Sequence, residues 1–183
     1  MSEKKPIRYA FLQIPNYSMV TFSSAVASLR GANYISKETL YEWEVVSMDG
    51  APVTASVGFE VTPTIHVNDL TLNGLEAIIV CGGTYIDRAY DKSTLSFLRK
   101  VANAKINIGS TCTGSYLLAA AGLLDGYKST IHWENLASMR EEFPNVLMSS
   151  NLFAIDRDRF TCSGGNSSLD MMLQFVSNHH GPE

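Results

Sequence analysis

Cys112 stands in the run Gly109-Ser110-Thr111-Cys112-Thr113-Gly114, where small residues surround one side chain able to act as a nucleophile. Glycine and small residues permit the tight, strained strand-to-helix bend that carries nucleophiles in many enzymes. A thiol there faces the amino end of the following helix, whose dipole and free N–H groups favour the thiolate. The same N–H groups suit an oxyanion or a ligand carboxylate. The opposing reading takes Cys112 as a small buried apolar residue; the flanking glycines favour a site residue. His132, in Ser129-Thr130-Ile131-His132-Trp133-Glu134, follows a β-branched run and opens a helix, so it can return to the same sheet edge. A Cys–His pair is the minimum equipment for nucleophilic thiol chemistry. The alternative is a histidine that caps its helix or bonds a backbone carbonyl, and spacing leaves the two open. Cys81 lies inside an apolar run and is expected to be buried; Cys162, ahead of Ser163-Gly164-Gly165, is open to either reading. His66, His179 and His180 show no ligand spacing, so neither a metal site nor a cofactor is expected.

The elements that must position these residues can be read from periodicity. A strand is expected over 7–14, broken by Pro15-Asn16, then a helix with Met19, Phe22, Val26 and Leu29 on one side, ending near 31–33. A strand over 43–48 and a small hairpin over 53–55 and 59–61 follow. Ala77-Ile78-Ile79-Val80-Cys81 is apolar on both faces, as a buried parallel strand must be, and Gly82-Gly83 ends it. Beyond it come helices over 93–103, 116–121, 133–143 and 166–179, and short strands over 106–108, 146–148, 152–155 and 160–162. Strands alternating with helices make an α/β sheet with helices on both faces. Ligands of such sheets sit beyond the carboxyl ends of the strands. That rule selects loops 15–18, 82–85 and 110–114, and with them Asn16, Tyr17, Gly82, Gly83, Thr84, Cys112 and Thr113 as binding candidates, joined by His132 and Trp133.

Composition narrows the class. The chain has 183 residues, 45% hydrophobic and 17% charged, enough apolar material to offset the entropy of ordering and exclude intrinsic disorder. One domain over 1–183 is expected. With 14 basic against 18 acidic residues, the chain lacks the clustered cations that nucleic-acid binding needs. The longest apolar stretch, 116–121, is far shorter than the about 20 residues that span a bilayer. Met1-Ser2-Glu3-Lys4-Lys5-Pro6 shows no cleavage-site pattern. An odd count of three cysteines without paired spacing argues for reduced thiols in the cytoplasm.

Several segments then combine into a family pattern. Ile79-Val80-Cys81-Gly82-Gly83, the Cys112 bend, Ala120-Ala121-Gly122-Leu123-Leu124-Asp125-Gly126 and Thr130-Ile131-His132-Trp133 resemble the DJ-1/ThiJ/PfpI superfamily. The closer likeness is to the N-terminal domains of AraC/XylS-type transcription regulators, carried by His132-Trp133-Glu134-Asn135, Phe143-Pro144, Phe153-Ala154-Ile155-Asp156-Arg157-Asp158-Arg159, Thr161-Cys162-Ser163-Gly164-Gly165 and Leu169-Asp170-Met171-Met172. The resemblance implies a flavodoxin-like three-layer sandwich of the class I glutamine-amidotransferase type, with the cysteine on its nucleophile elbow. It further implies a cytoplasmic ligand-sensing domain, a homodimer, and a C-terminal helix-turn-helix domain that alone binds DNA, so that 1–183 is expected to be a truncated piece of a longer regulator. Regulators of this branch respond to amino acids or quaternary amines such as arginine, glycine betaine or carnitine. A carboxylate would suit the helix starting near Thr113, and a quaternary ammonium an aromatic cage. Tyr17, Phe22, Tyr85, Tyr116 and Trp133 flank the site loops; Phe22 reads as core, while Tyr17 and Trp133 are the favoured cage residues. Catalytic members of the superfamily place a Glu or Asp after the first strand, beside the cysteine. Here the matching turn is Pro15-Asn16-Tyr17-Ser18-Met19-Val20-Thr21, without a carboxylate. The resemblance therefore implies that Cys112 and His132 are vestigial rather than catalytic; the alternative is a cysteine-dependent hydrolase, hydratase or amidase.

Overall fold

The computed structural model describes residues 5–181, so the Met1–Lys4 stretch and Pro182-Glu183 lie outside the described residues. The strands are β1 (Ile7–Gln13), β2 (Tyr41–Ser47), β3 (Val53–Thr54), β4 (Glu60–Val61), β5 (Ile65–His66), β6 (Leu75–Cys81), β7 (Asn107–Thr111), β8 (Lys128–Ser129), β9 (Leu147–Met148), β10 (Phe153–Asp156) and β11 (Arg159–Cys162). The helices are α1 (Met19–Ser36), α2 (Lys92–Asn103), α3 (Gly114–Ala120), α4 (Leu136–Glu142) and α5 (Ser167–His180). Seven strands form one sheet in the order β10-β11-β7-β6-β1-β2-β5. Every neighbouring pair is parallel except β10–β11.

The central strands β6 and β1 carry apolar residues on both faces because both faces are covered. On one side Tyr9, Phe11, Ile79 and Cys81 meet Phe22 and Leu29 of α1 and Met171 and Met172 of α5. On the other, Ala10, Leu12, Ile78 and Val80 meet Leu98 and Val101 of α2, Leu117 and Leu118 of α3 and Met139 of α4. Two cores separated by a sheet make the three-layer α/β sandwich expected from the sequence. The hairpin β3–β4 stands apart as a two-stranded sheet.

Three elements differ from the periodicity reading. α1 runs on to Ser36, past the expected stop near 31–33. Asn33 stays helical while its side chain bonds the N–H and carbonyl of Tyr41 (both 2.9 Å), and the helix ends only where Lys37 turns left-handed (φ 59°). The expected single helix over 133–143 divides into a short turn, Trp133–Asn135, and α4. There the Asn135 N–H donates to the His132 carbonyl (2.9 Å), a tighter bond than an α-helical one. β7 extends to Thr111 instead of stopping at 108, and Gly109 is needed inside it because a Cβ there would overlap the Phe160 ring. Among the described residues, no helix is long and apolar enough to cross a membrane.

Candidate functional site

The bend after β7 is built as the residues imply. β7 ends at Thr111, Cys112 adopts φ 56°, and α3 begins at Gly114. A left-handed non-glycine residue costs about 1–2 kcal/mol, so the surroundings must hold it. They do so from three sides. The Thr113 hydroxyl donates to the Gly83 carbonyl (2.6 Å). The His132 N–H donates to the Cys112 carbonyl (3.2 Å). The Thr21 hydroxyl of α1 donates to that of Thr111 (3.3 Å). The loop after β6 closes on the bend backbone to backbone: a Cβ on Gly82 would overlap the Gly114 nitrogen, and one on Gly114 the Val80 carbonyl.

The thiol lies against Gly164, and Cys112 as a whole is 8% exposed. Burial pushes it up to about 11, and the Thr113 N–H that pulls the other way does not compensate. A helix dipole is worth about 0.3–1 kcal/mol, less than one pKa unit, so desolvation wins. This corrects the expectation that the helix would favour a thiolate: Cys112 is a neutral thiol at pH 7. Cys162 is likewise pushed up to about 11 by burial, and burial raises Cys81 further.

Above the bend opens a cavity of about 650 Å³, in the size range of small-molecule sites. Gly83, Thr84, Cys112, Thr113 and His132 line it, so five of the nine binding candidates come together. The other four are placed elsewhere. Gly82 is the spacer described above. Asn16 lines a neighbouring crevice with Gln13 and Asp49, and its carbonyl accepts from the Thr84 N–H (3.1 Å). Tyr17 is wholly buried in the α1 core, edge-on to Phe22 at 5.7 Å. Trp133 points to solvent, 74% exposed and outside the cavity lining. Of the other flanking aromatic residues, Tyr85 and Tyr116 do line the cavity. Phe22 is core, as read.

The lining also includes Asp87, Glu134 and Glu142, with no lysine or arginine. Glu134 reaches His132 Nδ1 at 3.7 Å. Tyr116 donates to Glu142 (2.8 Å), and its ring is set edge-on against Phe143. No hydrogen bond joins the His132 ring to the Cys112 thiol among the described residues. The loop after β1 brings Ser18 to the cavity. Periodicity missed Asn135, Ser138 and Glu142. Their spacing of three and four residues makes a polar stripe running from the Trp133–Asn135 turn into α4, one position, about 100°, round the helix from the apolar stripe of Leu136, Met139 and Phe143.

Residues 11–178 match the DJ-1/PfpI family. The chain belongs to the DJ-1/PfpI family. The HTH-type transcriptional regulator GbdR of Pseudomonas aeruginosa is 43% identical over 180 residues, covering 98% of this chain and 48% of the regulator. The chain spans about half the length of the curated regulators it matches. The crystal structure of an AraC family transcriptional regulator from Pseudomonas putida superposes with a TM-score of 0.84 at 28% identity, covering 97% of this chain and 94% of that one. An isonitrile hydratase of Pseudomonas putida is 40% identical over 90 residues, 49% of this chain and 39% of the enzyme.

Proposed function

We propose that the chain is the ligand-sensing domain of an AraC-type transcriptional regulator and not an enzyme. A small amino-acid-like or quaternary-amine metabolite sits over Cys112 and biases DNA binding by a C-terminal helix-turn-helix domain of the full-length protein, in the cytoplasm and as a homodimer. The observation that carries this reading is the cavity itself: two tyrosines and three carboxylates, without a lysine or arginine, over a thiol that burial holds neutral. A cation gains from ring faces and from carboxylates in a partly dry site, whereas a neutral thiol is a wall and not a nucleophile. The site residues of this reading are Gly83, Thr84, Tyr85, Cys112, Thr113, Tyr116, His132, Glu134 and Glu142.

Calorimetric titration with glycine betaine, carnitine and arginine tests it. Heat is expected with at least one, and Glu134→Gln or Glu142→Gln is expected to weaken that ligand roughly tenfold, about 1.4 kcal/mol. No heat with any of the three removes this ligand class. The isonitrile hydratase relative favours a second reading, a cysteine-dependent hydratase or hydrolase, with Cys112 as nucleophile and His132 as base. That reading requires turnover that Cys112→Ser abolishes.

A further inference from the structure

Beyond the carboxyl ends of β1 and β2 lies a second crevice, of about 860 Å³, within the range of small-molecule sites. The topology opens it. β2 lies on one side of β1 and β6 on the other, while α1 packs on one face of the sheet and α2 on the opposite face. The loops after β1 and β6 therefore part, and open α/β sheets bind ligands where that happens. The ends of β1 and β2 and strand β3 form one wall; residues 88–91 and the start of α2 form the other. The crevice shares no lining residue with the Cys112 cavity. Main chain runs between them: the Asn16 N–H donates to the Thr54 carbonyl (2.9 Å), and the Asn16 carbonyl accepts from the Thr84 N–H (3.1 Å).

Two polar side chains of the crevice are buried without a bond. Gln13 and Ser47 lie one step past the last register pair of β1 and β2, Leu12 with Val46, so they are neighbours on one face of the sheet. Each residue is 1% exposed. The Gln13 amide oxygen and nitrogen and the Ser47 hydroxyl meet no hydrogen-bond partner among the described residues. Buried polar groups are costly when unpaired, and apolar side chains of the same shape would avoid that cost. Asn16, held left-handed (φ 63°) by its two backbone bonds, adds a second amide. Two carboxylates complete the lining. One Asp49 oxygen accepts from the Ala51 N–H (2.9 Å), and one Asp91 oxygen accepts from the Ser93 hydroxyl (2.6 Å) and the Thr94 N–H (3.0 Å). The second oxygen of each remains for a ligand.

We propose that this crevice is a second binding site, for a small neutral molecule with vicinal hydroxyl groups: a free sugar or the ribose of a nucleoside. A hydroxyl both donates and accepts, so it can serve the carboxylate oxygens on one side and the Gln13 and Asn16 amides on the other. An anion would meet Asp49 and Asp91, and the start of α2 is already capped by Asp91. The cation of the lining, Arg88, is largely exposed and stands 3.4 Å from Asp87. A cationic ligand would leave the amide N–H groups unused. Tyr90, half-buried in the same lining, offers a ring to the apolar face of a sugar.

Titration of the isotope-labelled chain with D-ribose, D-glucose and adenosine, followed by amide NMR shifts, tests the proposal. Saturable shifts are expected at Gln13, Ser47 and Asp91 with at least one probe. Tighter binding of adenosine than of ribose assigns a nucleoside; binding of ribose or glucose at least as tight assigns a free sugar. The 2-deoxy counterpart of the bound probe is expected to bind roughly tenfold more weakly or worse, as are the variants Gln13→Leu and Asp49→Asn. Asp49 is exposed, so its variant keeps the test valid if Gln13→Leu misfolds. Lys100→Gln, on the outer side of α2, is expected to bind as wild type. Absence of saturation with all three probes, shifts confined to residues around Cys112, or an affinity that neither the deoxy probe nor Asp49→Asn reduces overturns the proposal. Betaine, carnitine and arginine do not enter these titrations, so failure here is distinguishable from failure of the sensor reading.

Discussion

At Cys112 two effects oppose each other, and their sizes decide what the side chain can do. The adjacent N–H favours the anion and burial favours the thiol; burial prevails and the group is pushed up to about 11. Alkylation of the Cys112 peptide by iodoacetamide, followed by mass spectrometry against pH, is expected to show a midpoint near 11 instead of about 8.5, the value of a free thiol. A midpoint near neutrality would contradict the buried-thiol account and favour the hydratase reading. Tyr17 and Trp133, one buried and one exposed, have very unequal expected effects on stability. Tyr17→Ala empties a fully buried site and is expected to cost about 3–5 kcal/mol in urea unfolding. Trp133→Ala removes an exposed ring and is expected to change stability by less than about 0.5 kcal/mol.

Among the elements, the loop after β6 matters most because it meets the elbow at backbone distance. Gly83 pairs with Tyr17 across the loops, and a Cβ there would overlap the Asn16 carbonyl. Main chain on both sides leaves nothing flexible to yield. Gly83→Ala is therefore expected to destabilise the fold by about 1–3 kcal/mol, measured by thermal unfolding, and to weaken ligand binding by moving Thr84. Helix α2 starts with a conventional cap: the Asp91 carboxylate accepts from the Thr94 N–H at 3.0 Å. Asp91→Ala is expected to cost about 1 kcal/mol without altering the cavity over Cys112. A comparable loss of ligand affinity in this variant would show that the two crevices communicate.

For the molecule as a whole, buried titrating groups set the pH range of stability. Cys112 and Cys162 hold their protons to about 11 when folded, while an unfolded thiol releases its proton near 8.5. Between those values the unfolded chain binds fewer protons, so stability falls as pH rises. At the acid end, burial lowers His179, whose Nδ1 meets the Tyr41 hydroxyl at 3.0 Å. The unfolded chain then takes up that proton first, and stability falls as pH drops below about 6.5. Thermal melts are expected to show a plateau between about pH 6.5 and 8.5 with decline on both sides; a melting temperature that climbs from pH 9 to 11 would contradict the thiol assignment.

What the sequence determined alone is what short-range pattern carries. The apolar run 77–81, the glycines around Cys112 and the apolar stripe of α5 specify a parallel strand, a bend and a helix, because side-chain period and backbone freedom are properties of neighbouring residues. The family likeness lies in the same local segments. Tertiary structure alone decided which side chains share a space. It buried Tyr17 and sent Tyr116 to the cavity, brought the Glu142 side of α4 over the elbow, and laid Gly164 against the Cys112 sulfur. Desolvation depends on everything packed around a group, from wherever in the chain it comes. The charge state of Cys112 was therefore settled by residues far from it in sequence.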